Sequence, residues 1–282
     1  MVYFLHIFTA LSKGLEINLL FHNIVNTKFN HLKKQQRHQI ILNEVNIHNR
    51  VLLTDLAVTL NVSMDTVRRD IKELDDLKNL KKVHGGAVSN GFSIYSGRNR
   101  EVYELENKTI IAKKGISLLN SGDIVLMSGG STNIELAKLL PQNLGLTFFT
   151  PSLPMAIELL NNISENDTVI FIGGKLSKSS QLATGGSSID ILSEIKADIC
   201  FLGTGYLDVG EGITAIDWEI AQMKKAMIKA SKKVVSLTIS GKLNTHNKFK
   251  ICNIETLDTL VTELDPSSDE LNLYRSKNVE VL

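Results

Sequence analysis

Two groups of residues in the 282-residue chain have types and spacings suited to chemistry. The first is Ser128-Gly129-Gly130-Ser131-Thr132, a glycine-rich run between an apolar stretch and a helical pattern. Glycines let backbone approach a ligand, amide N–H groups point outward at a helix start, and two hydroxyls add donors, so the natural guest is an anion such as phosphate. It is neither a Walker loop, lacking GK[ST], nor GxGxxG, and taken alone such a run is also an ordinary tight turn. A second glycine loop, Gly203-Thr204-Gly205, follows another apolar stretch. Acid–base catalysis in such a pocket needs a positioned base and a partner acid, for which Asp208, Asp217, Glu219 and Lys242 are the candidates. Asp217 and Glu219 open a helical segment, where carboxylates favour the dipole without any catalytic role. The two cysteines, Cys200 and Cys252, lack CxxC spacing, so neither a disulfide framework nor a zinc site is expected. The expectation is a binding pocket with no catalytic residue, metal or cofactor.

The second group lies between Asn61 and Val88. Val67, Ile71 and Leu74 share one helical face, and Asp65, Thr66, Arg68, Arg69 and Lys72 share the other. Ser63 stands at the N-cap position and Val62 is placed to staple against Val67. A helix that buries one side and offers adjacent arginines on the other fits the DNA major groove, although a merely solvated face looks the same in isolation.

The surrounding elements decide between these. Arg37 to Ile47 carries Ile40, Ile41, Glu44 and Val45 at helical spacing. A second helix begins at Leu53, with Thr54 as cap, Asp55 favouring the dipole and a Leu53–Val58 staple, and ends near Leu60. Asn61-Val62-Ser63 then turns into the arginine helix, which is a helix-turn-helix. Leu80 to Val83 and Ala87 to Val88 flank His84-Gly85-Gly86 as a hairpin, with Lys81, Lys82 and His84 near its tip. Residues 34–89 therefore predict a small winged helix-turn-helix. Between 31 and 90 there are ten Lys and Arg against seven Asp and Glu, while the whole chain has a net charge of only +1; the mild asymmetry is in keeping with a small DNA-facing module.

Residues 90–108 read as a polar linker containing Arg98 and Arg100, for which exposed charge is the simpler account. A helix is expected to leave it through Ile110 to Leu119. From 109 to 282, apolar runs at Ile124 to Met127, Thr147 to Thr150, Val169 to Ile172, Ile199 to Leu202, Val234 to Thr238 and Thr259 to Val261 alternate with amphipathic segments. Those segments include Asn133 to Leu140 and Asp217 to Ser231. The pattern predicts a mostly parallel, Rossmann-like α/β domain covered on both faces. The glycine loops follow strands and so collect at the sheet's carboxyl edge, where such sheets bind ligands. Trp218 fits either a pocket mouth or the core. Residues 1–33 form an extension that is either an added helix or a start placed upstream of one near Lys33. It has neither the basic n-region nor the cleavage site of a secretory signal, and the chain has no run of about 18 apolar residues, so no membrane span and a cytoplasmic location are expected.

LTDLAVTLNVSMDTVRRDIKELDDLKNLKKVHGGAV resembles the N-terminal domain of the DeoR family of bacterial transcriptional regulators, most closely in TVRRDIKEL and KVHGGAV. The resemblance implies that Ser63 to Leu74 is the recognition helix. Arg68 and Arg69 would then contact operator DNA, one reading a guanine edge and the other a phosphate, with Ser63, Thr66, Lys72 and His84 beside them. Asp70 would orient an arginine, and Lys81 and Lys82 would add salt-dependent affinity. GISLLNSGDIVLMSGGSTNIELAKLLP, TPSLPMAIELL, FIGGKLS and ADICFLGTGYLD follow the order of the family's effector domain, which is similar in fold to ribose-5-phosphate isomerase and glucosamine-6-phosphate deaminase. The implied effector is a phosphorylated sugar or related metabolite. Its phosphate would be held by Gly129, Gly130, Ser131 and Thr132, with Ser128, Gly203, Thr204, Asp208 and Lys242 around it. Ser128, Pro151, Thr204 to Leu207 and Ile239 replace residues usual in the family, which implies an altered ligand and weakens an enzymatic reading. The functional expectation is a DNA-binding regulator, a repressor of carbohydrate-metabolism genes acting as a dimer or tetramer, because symmetric pairs read repeated half-sites. The alternatives are a sugar-phosphate isomerase or deaminase, and a regulator that has lost its ligand.

Overall fold

The computed structural model describes residues 32–90, 102–178 and 180–282. The expectations placed on residues 1–31 and on Arg98 and Arg100 lie outside them. Helix α1 (Lys34–His48) begins ahead of Arg37 and stops at Asn49, whose φ of 62° is the left-handed conformation that asparagine tolerates at a helix end. A short strand that the sequence did not announce, β1 (Arg50–Leu52), follows at once. Helix α2 (Leu53–Leu60) starts at Leu53 itself, which corrects two expectations. Thr54 lies inside the first turn, its hydroxyl donating to Asp55 at 2.9 Å, and caps nothing; Leu53 N–H instead donates to Gly85 O at 2.8 Å. Val58 is 83% exposed and staples nothing. Helix α3 (Met64–Asp76) is capped as expected, Ser63 Oγ accepting from Thr66 N–H at 3.2 Å.

β2 (Lys81–Val83) and β3 (Gly86–Val88) form the wing hairpin, and β1 adds to β3 as a third antiparallel strand. That added strand explains the second glycine of His84-Gly85-Gly86: a Cβ on Gly86 would fall 1.9 Å from Val51 O. Lys81 and Lys82 lie along β2 and only His84 sits at the tip, because the turn is closed by His84 and Gly85 alone. Ile41, Val45, Leu56, Leu60, Val67, Ile71 and Leu74 pack into one core between the three helices and the small sheet.

Helix α4 (Leu105–Ile116) begins inside the stretch expected as linker and ends short of Leu119. Then come β4 (Ile124–Met127), α5 (Ser131–Lys138), β5 (Thr147–Thr150), α6 (Leu153–Asn162), β6 (Thr168–Phe171), a hairpin of β7 (Lys175–Leu176) and β8 (Ala183–Thr184), α7 (Gly186–Ser193) and β9 (Ala197–Leu202). The chain continues through β10 (Tyr206–Asp208), β11 (Gly212–Ala215), α8 (Trp218–Lys229), β12 (Ser231–Leu237), β13 (Phe249–Cys252), β14 (Thr259–Val261), α9 (Asn272–Arg275) and β15 (Glu280–Val281). Seven strands form one parallel sheet in the order β15-β14-β12-β9-β4-β5-β6. Alternate residues of the central strands enter opposite cores: Leu126, Cys200 and Leu202 on one face, Val125, Met127, Ile199 and Phe201 on the other. That is why these strands read as continuous apolar runs. β10, β11 and β13 form a separate antiparallel sheet that sequence periodicity did not reveal.

Candidate functional site

The chain runs outward from β4 to β6, then returns to lay β9 on the other side of β4 and builds toward β15. Strand order therefore reverses between β4 and β9, and at such a switch point the loops leaving the two strands part to leave a crevice. Those loops are the two glycine runs. They meet closely: a Cβ on Gly203 would lie 1.9 Å from Gly129 O, so only glycine fits there. Asn133, one turn into α5, ties them together by donating through Nδ2 to Ser128 O at 3.1 Å and Phe201 O at 2.9 Å. Ser128 Oγ and Asn133 Oδ1 are buried beside this junction with no hydrogen-bond partner among the described residues.

A cavity of about 140 Å³ opens there, bordered by Gly129, Gly130, Gly203, Thr204, Lys224 and Lys242 among others. One water needs roughly 10–15 Å³ on this measure, so a small polar metabolite can be accommodated. Lys242 Nζ donates to Thr204 O at 2.9 Å and Lys224 Nζ donates to Gly203 O. Both are buried, and neither has a carboxylate within salt-bridge distance among the described residues. Burial pushes Lys224 down to about 8, and burial together with the neighbouring Lys108 and Lys224 charges pushes Lys242 down to about 7. Lys108 is likewise buried, donates to Tyr103 O and is lowered to about 8 by burial. Concentrated positive charge under two glycine loops is a setting for an anion.

The structure does not bring every expected ligand group to this cavity. Ser131 and Thr132 form the first turn of α5 just behind Gly130. Asp208 is displaced from the expected set: its carboxylate accepts from the backbone N–H of Gly210 at 2.8 Å and Glu211 at 2.9 Å, closing the β10–β11 turn. Asp217 caps α8, accepting from Ile220 N–H at 3.2 Å, and borders the cavity. Glu219 pairs with Lys175 at 2.8 Å. Trp218, 58% exposed, is edge-on to Phe249 and belongs to neither the core nor the cavity border.

Part of the cavity wall comes from the winged helix, through His48, Asn49 and Arg50. His48 stacks on Tyr206 with ring centroids 4.2 Å apart and an interplanar angle of 9°. Its Nδ1 lies 3.0 Å from Gly205 O, so the neutral ring donates there; burial holds the imidazole down to about 4. Arg50 Nη1 donates to Asp217 Oδ2 at 3.3 Å. On α2, Asp55 accepts from Lys248 Nζ at 3.0 Å and from Asn247 Nδ2 at 3.3 Å.

This docking uses the end of α1, β1 and the start of α2, and leaves α3 facing outward. Ser63, Arg68, Arg69, Lys72, Lys81, Lys82 and His84 are all exposed and Thr66 is half-buried. Arg68 pairs with Asp65 on the helix surface. Asp70 is buried and does hold an arginine, but it is Arg37 of α1, with Nε donating at 2.7 Å and Nη2 at 3.0 Å. That bidentate pair locks α3 against α1 and thereby fixes the angle at which Arg68 and Arg69 are presented.

Residues 37–91 match the DeoR-like helix-turn-helix domain and residues 104–264 match the DeoR C-terminal sensor domain, more than half of the chain for the sensor alone. The chain belongs to the DeoR family. Curated relatives span nearly the whole length: the HTH-type transcriptional repressor GlcR of Bacillus subtilis is 30% identical over 88% of this chain and 96% of its own. The HTH-type transcriptional regulator GlpR of Haloferax volcanii is 31% identical over 80% and 89%, and the glycerol-3-phosphate regulon repressor of Escherichia coli K12 is 24% identical over 89% and 99%. Among solved structures, a ribose 5-phosphate isomerase A from Neisseria gonorrhoeae is 14% identical with a TM-score of 0.35, covering 49% of this chain and 53% of that one.

For a DeoR-type chain the sequence offered one signal that was passed over. Lys224 sits among Ile220, Ala221 and Met227 on the buried stripe of α8, and a lysine at an apolar helical position is a buried lysine with a task. Asn133 follows directly after the SGGST run. His48 and Arg50 carry no such signal, because their approach to the cavity depends on how two domains dock. Among the described residues no helix is long and apolar enough to cross a membrane.

Proposed function

We propose that this DeoR-family protein is a repressor of carbohydrate-metabolism genes whose operator affinity is set by a phosphorylated sugar or related metabolite bound between the β4 and β9 loops. The carrying observation is the pair Lys224 and Lys242, buried against the Gly203 and Thr204 carbonyls beside Gly129 and Gly130. Two buried ammonium groups without carboxylate partners are held at a cost that a bound phosphate relieves. Ser131 and Thr132 N–H groups and the α5 dipole favour the same charge. Ser63, Thr66, Arg68, Arg69, Lys72, His84 and one of Lys81 and Lys82 form the operator face, two copies of the chain reading paired half-sites of double-stranded DNA. Names given to relatives, a repressor in Bacillus subtilis and a glycerol-3-phosphate regulon repressor in Escherichia coli, support the direction of control and the ligand class.

A binding role is also supported by the carboxylates near the cavity, since Asp217 and Glu219 are held in a cap and an ion pair and Asp208 in a turn. The test is thermal unfolding of the full chain against a panel of pentose, hexose and triol phosphates. A true effector at a hundred times its Kd adds about 2.7 kcal/mol, which raises Tm by roughly 5–10 °C, and it must also change operator retention in a gel shift. Stabilisation by no member favours a regulator that has lost its ligand, and turnover of any member restores the isomerase or deaminase alternative.

A further inference from the structure

The cavity that holds the proposed effector is lined on one side by the DNA-binding domain itself. Its border includes His48, Asn49 and Arg50, which belong to the end of α1 and the start of β1. Arg50 Nη1 donates to Asp217 Oδ2 at 3.3 Å, a long contact for a guanidinium–carboxylate pair, and both residues border the cavity. The Arg50 side chain is about one-quarter exposed and Asp217 about one-third, so the pair sits at the mouth rather than in the core. Lys224 and Lys242 lie on the inner side of the same cavity. An anionic group held by those lysines and the two glycine loops would offer Arg50 another acceptor, in competition with Asp217.

We propose that Arg50 is an effector-contacting residue, exchanging its bond to Asp217 for one to the anionic group of the ligand, so that occupancy of the sensor pocket is read directly by the strand that begins the winged helix. The proposal rests on the assignment of the cavity as an effector site. It supplies what coupling requires, a contact that differs between the liganded and unliganded states. The route is short. Arg50 pairs with Val88 across β1 and β3, and β3 is bonded to β2 of the wing, so a shift at Arg50 moves the wing as one sheet. Tyr206, stacked on His48, also donates from its hydroxyl to Arg50 O at 3.4 Å, and thus senses the same strand.

Two substitutions separate this role from simple stapling of the domains. Arg50→Ala removes the ligand contact and the Asp217 pair together. Asp217→Asn frees Arg50 from its competitor but keeps the helix cap, because asparagine caps as well as aspartate. In full-length protein, thermal shift and titration calorimetry with inorganic phosphate, glycerol 3-phosphate, ribose 5-phosphate and glucose 6-phosphate give the affinities, and a gel shift gives operator retention.

For whichever probe binds the wild type, Arg50→Ala is expected to lower affinity by tenfold or more and to abolish the effect of that probe on operator retention. Ligand-free operator retention is measured beside it, so that a lost response to the probe is told apart from lost DNA binding. Arg50→Lys, which keeps the charge and loses the fork, is expected between the two and guards against a folding defect. Asp217→Asn is expected to bind the probe as well as or better than wild type. Equal losses in Arg50→Ala and Asp217→Asn, or wild-type affinity in Arg50→Ala, overturn the exchange while leaving the effector pocket standing. Binding of none of the four probes to the wild type overturns the pocket assignment and this inference with it.

Discussion

Arg68, Arg69, Lys72, Lys81 and Lys82 stand in water on the winged helix, whereas Lys108, Lys224 and Lys242 are buried in the sensor domain. The same charge does opposite work in the two places. Cations in water meet a polyanion by displacing its counterions, so their contribution answers to salt. Cations in a closed cavity have lost their hydration and partly their charge, so theirs answers to pH and to the arrival of one anion. On the proposed function, DNA contact and metabolite sensing are separable by solution conditions in a single chain, and each way of perturbing one set should leave the other measurable.

The largest effect is expected at the operator face. Arg68→Ala and Arg69→Ala each remove a donor fork from the exposed side of α3, and alanine is the best helix former, so the fold should persist. With base or phosphate contacts worth about 1–3 kcal/mol each, the double variant should bind operator more weakly by roughly 30-fold or more in a gel shift, with probe binding to the sensor domain unchanged. Retained operator binding by the double variant sinks the assignment of α3.

The counterpart inside the cavity is Lys242→Met. It keeps much of the side-chain volume and removes a buried ammonium, so Tm should move by no more than roughly 3 °C. Affinity for a stabilising sugar phosphate should fall by tens of fold in calorimetry, and ligand-free operator retention should not change. A large loss of operator binding here would mean that Lys242 holds the domain junction rather than a ligand.

Legibility differed between the two sets for a physical reason. The exposed face of α3 follows from local periodicity: Val67, Ile71 and Leu74 mark the buried side, and the arginines must take the other. The parallel strands were legible as apolar runs because both faces of the sheet are covered. β1, β10, β11 and β13 were not, since each is a strand of three or four residues and β1, β11 and β13 are fixed by partners distant in sequence. The glycine loops could be placed at the sheet edge, but their meeting across β4 and β9 is a property of strand order, which no local pattern contains. Asp208 lies away from the cavity because a match to the family's motif near a strand end says nothing of which way the following turn folds. His48 and Arg50 lie farthest from legibility, since only the docking of two domains brings them to the cavity.

A smaller effect comes from pH. Lys242 has been lowered to about 7, and an anion favours its charged form, so its value must rise in the complex. Affinity is then full below pH 7 and falls as pH rises. Between pH 7 and 8.5, above the second phosphate ionisation near 6, the loss should be roughly tenfold. Calorimetry at pH 7.5 in buffers of different ionisation enthalpy should show proton uptake on binding. A step of the same size in ligand-free operator affinity would erase the distinction between the two sets of cations.

The smallest expected effect tests the wing. Lys81 and Lys82 are successive residues of β2, paired with Val88 and Ala87, and successive side chains of a strand point to opposite faces. Both are exposed, yet only one can approach the same stretch of phosphate backbone. Operator affinity measured across a salt series should therefore lose about one unit of log–log slope in either Lys81→Ala or Lys82→Ala, but not in both. The loss at any one salt concentration should be only a few-fold and the same for operator and unrelated DNA, since a phosphate contact carries no sequence information. Unchanged slopes in both variants would take the wing out of the DNA interface and leave recognition to α3 alone.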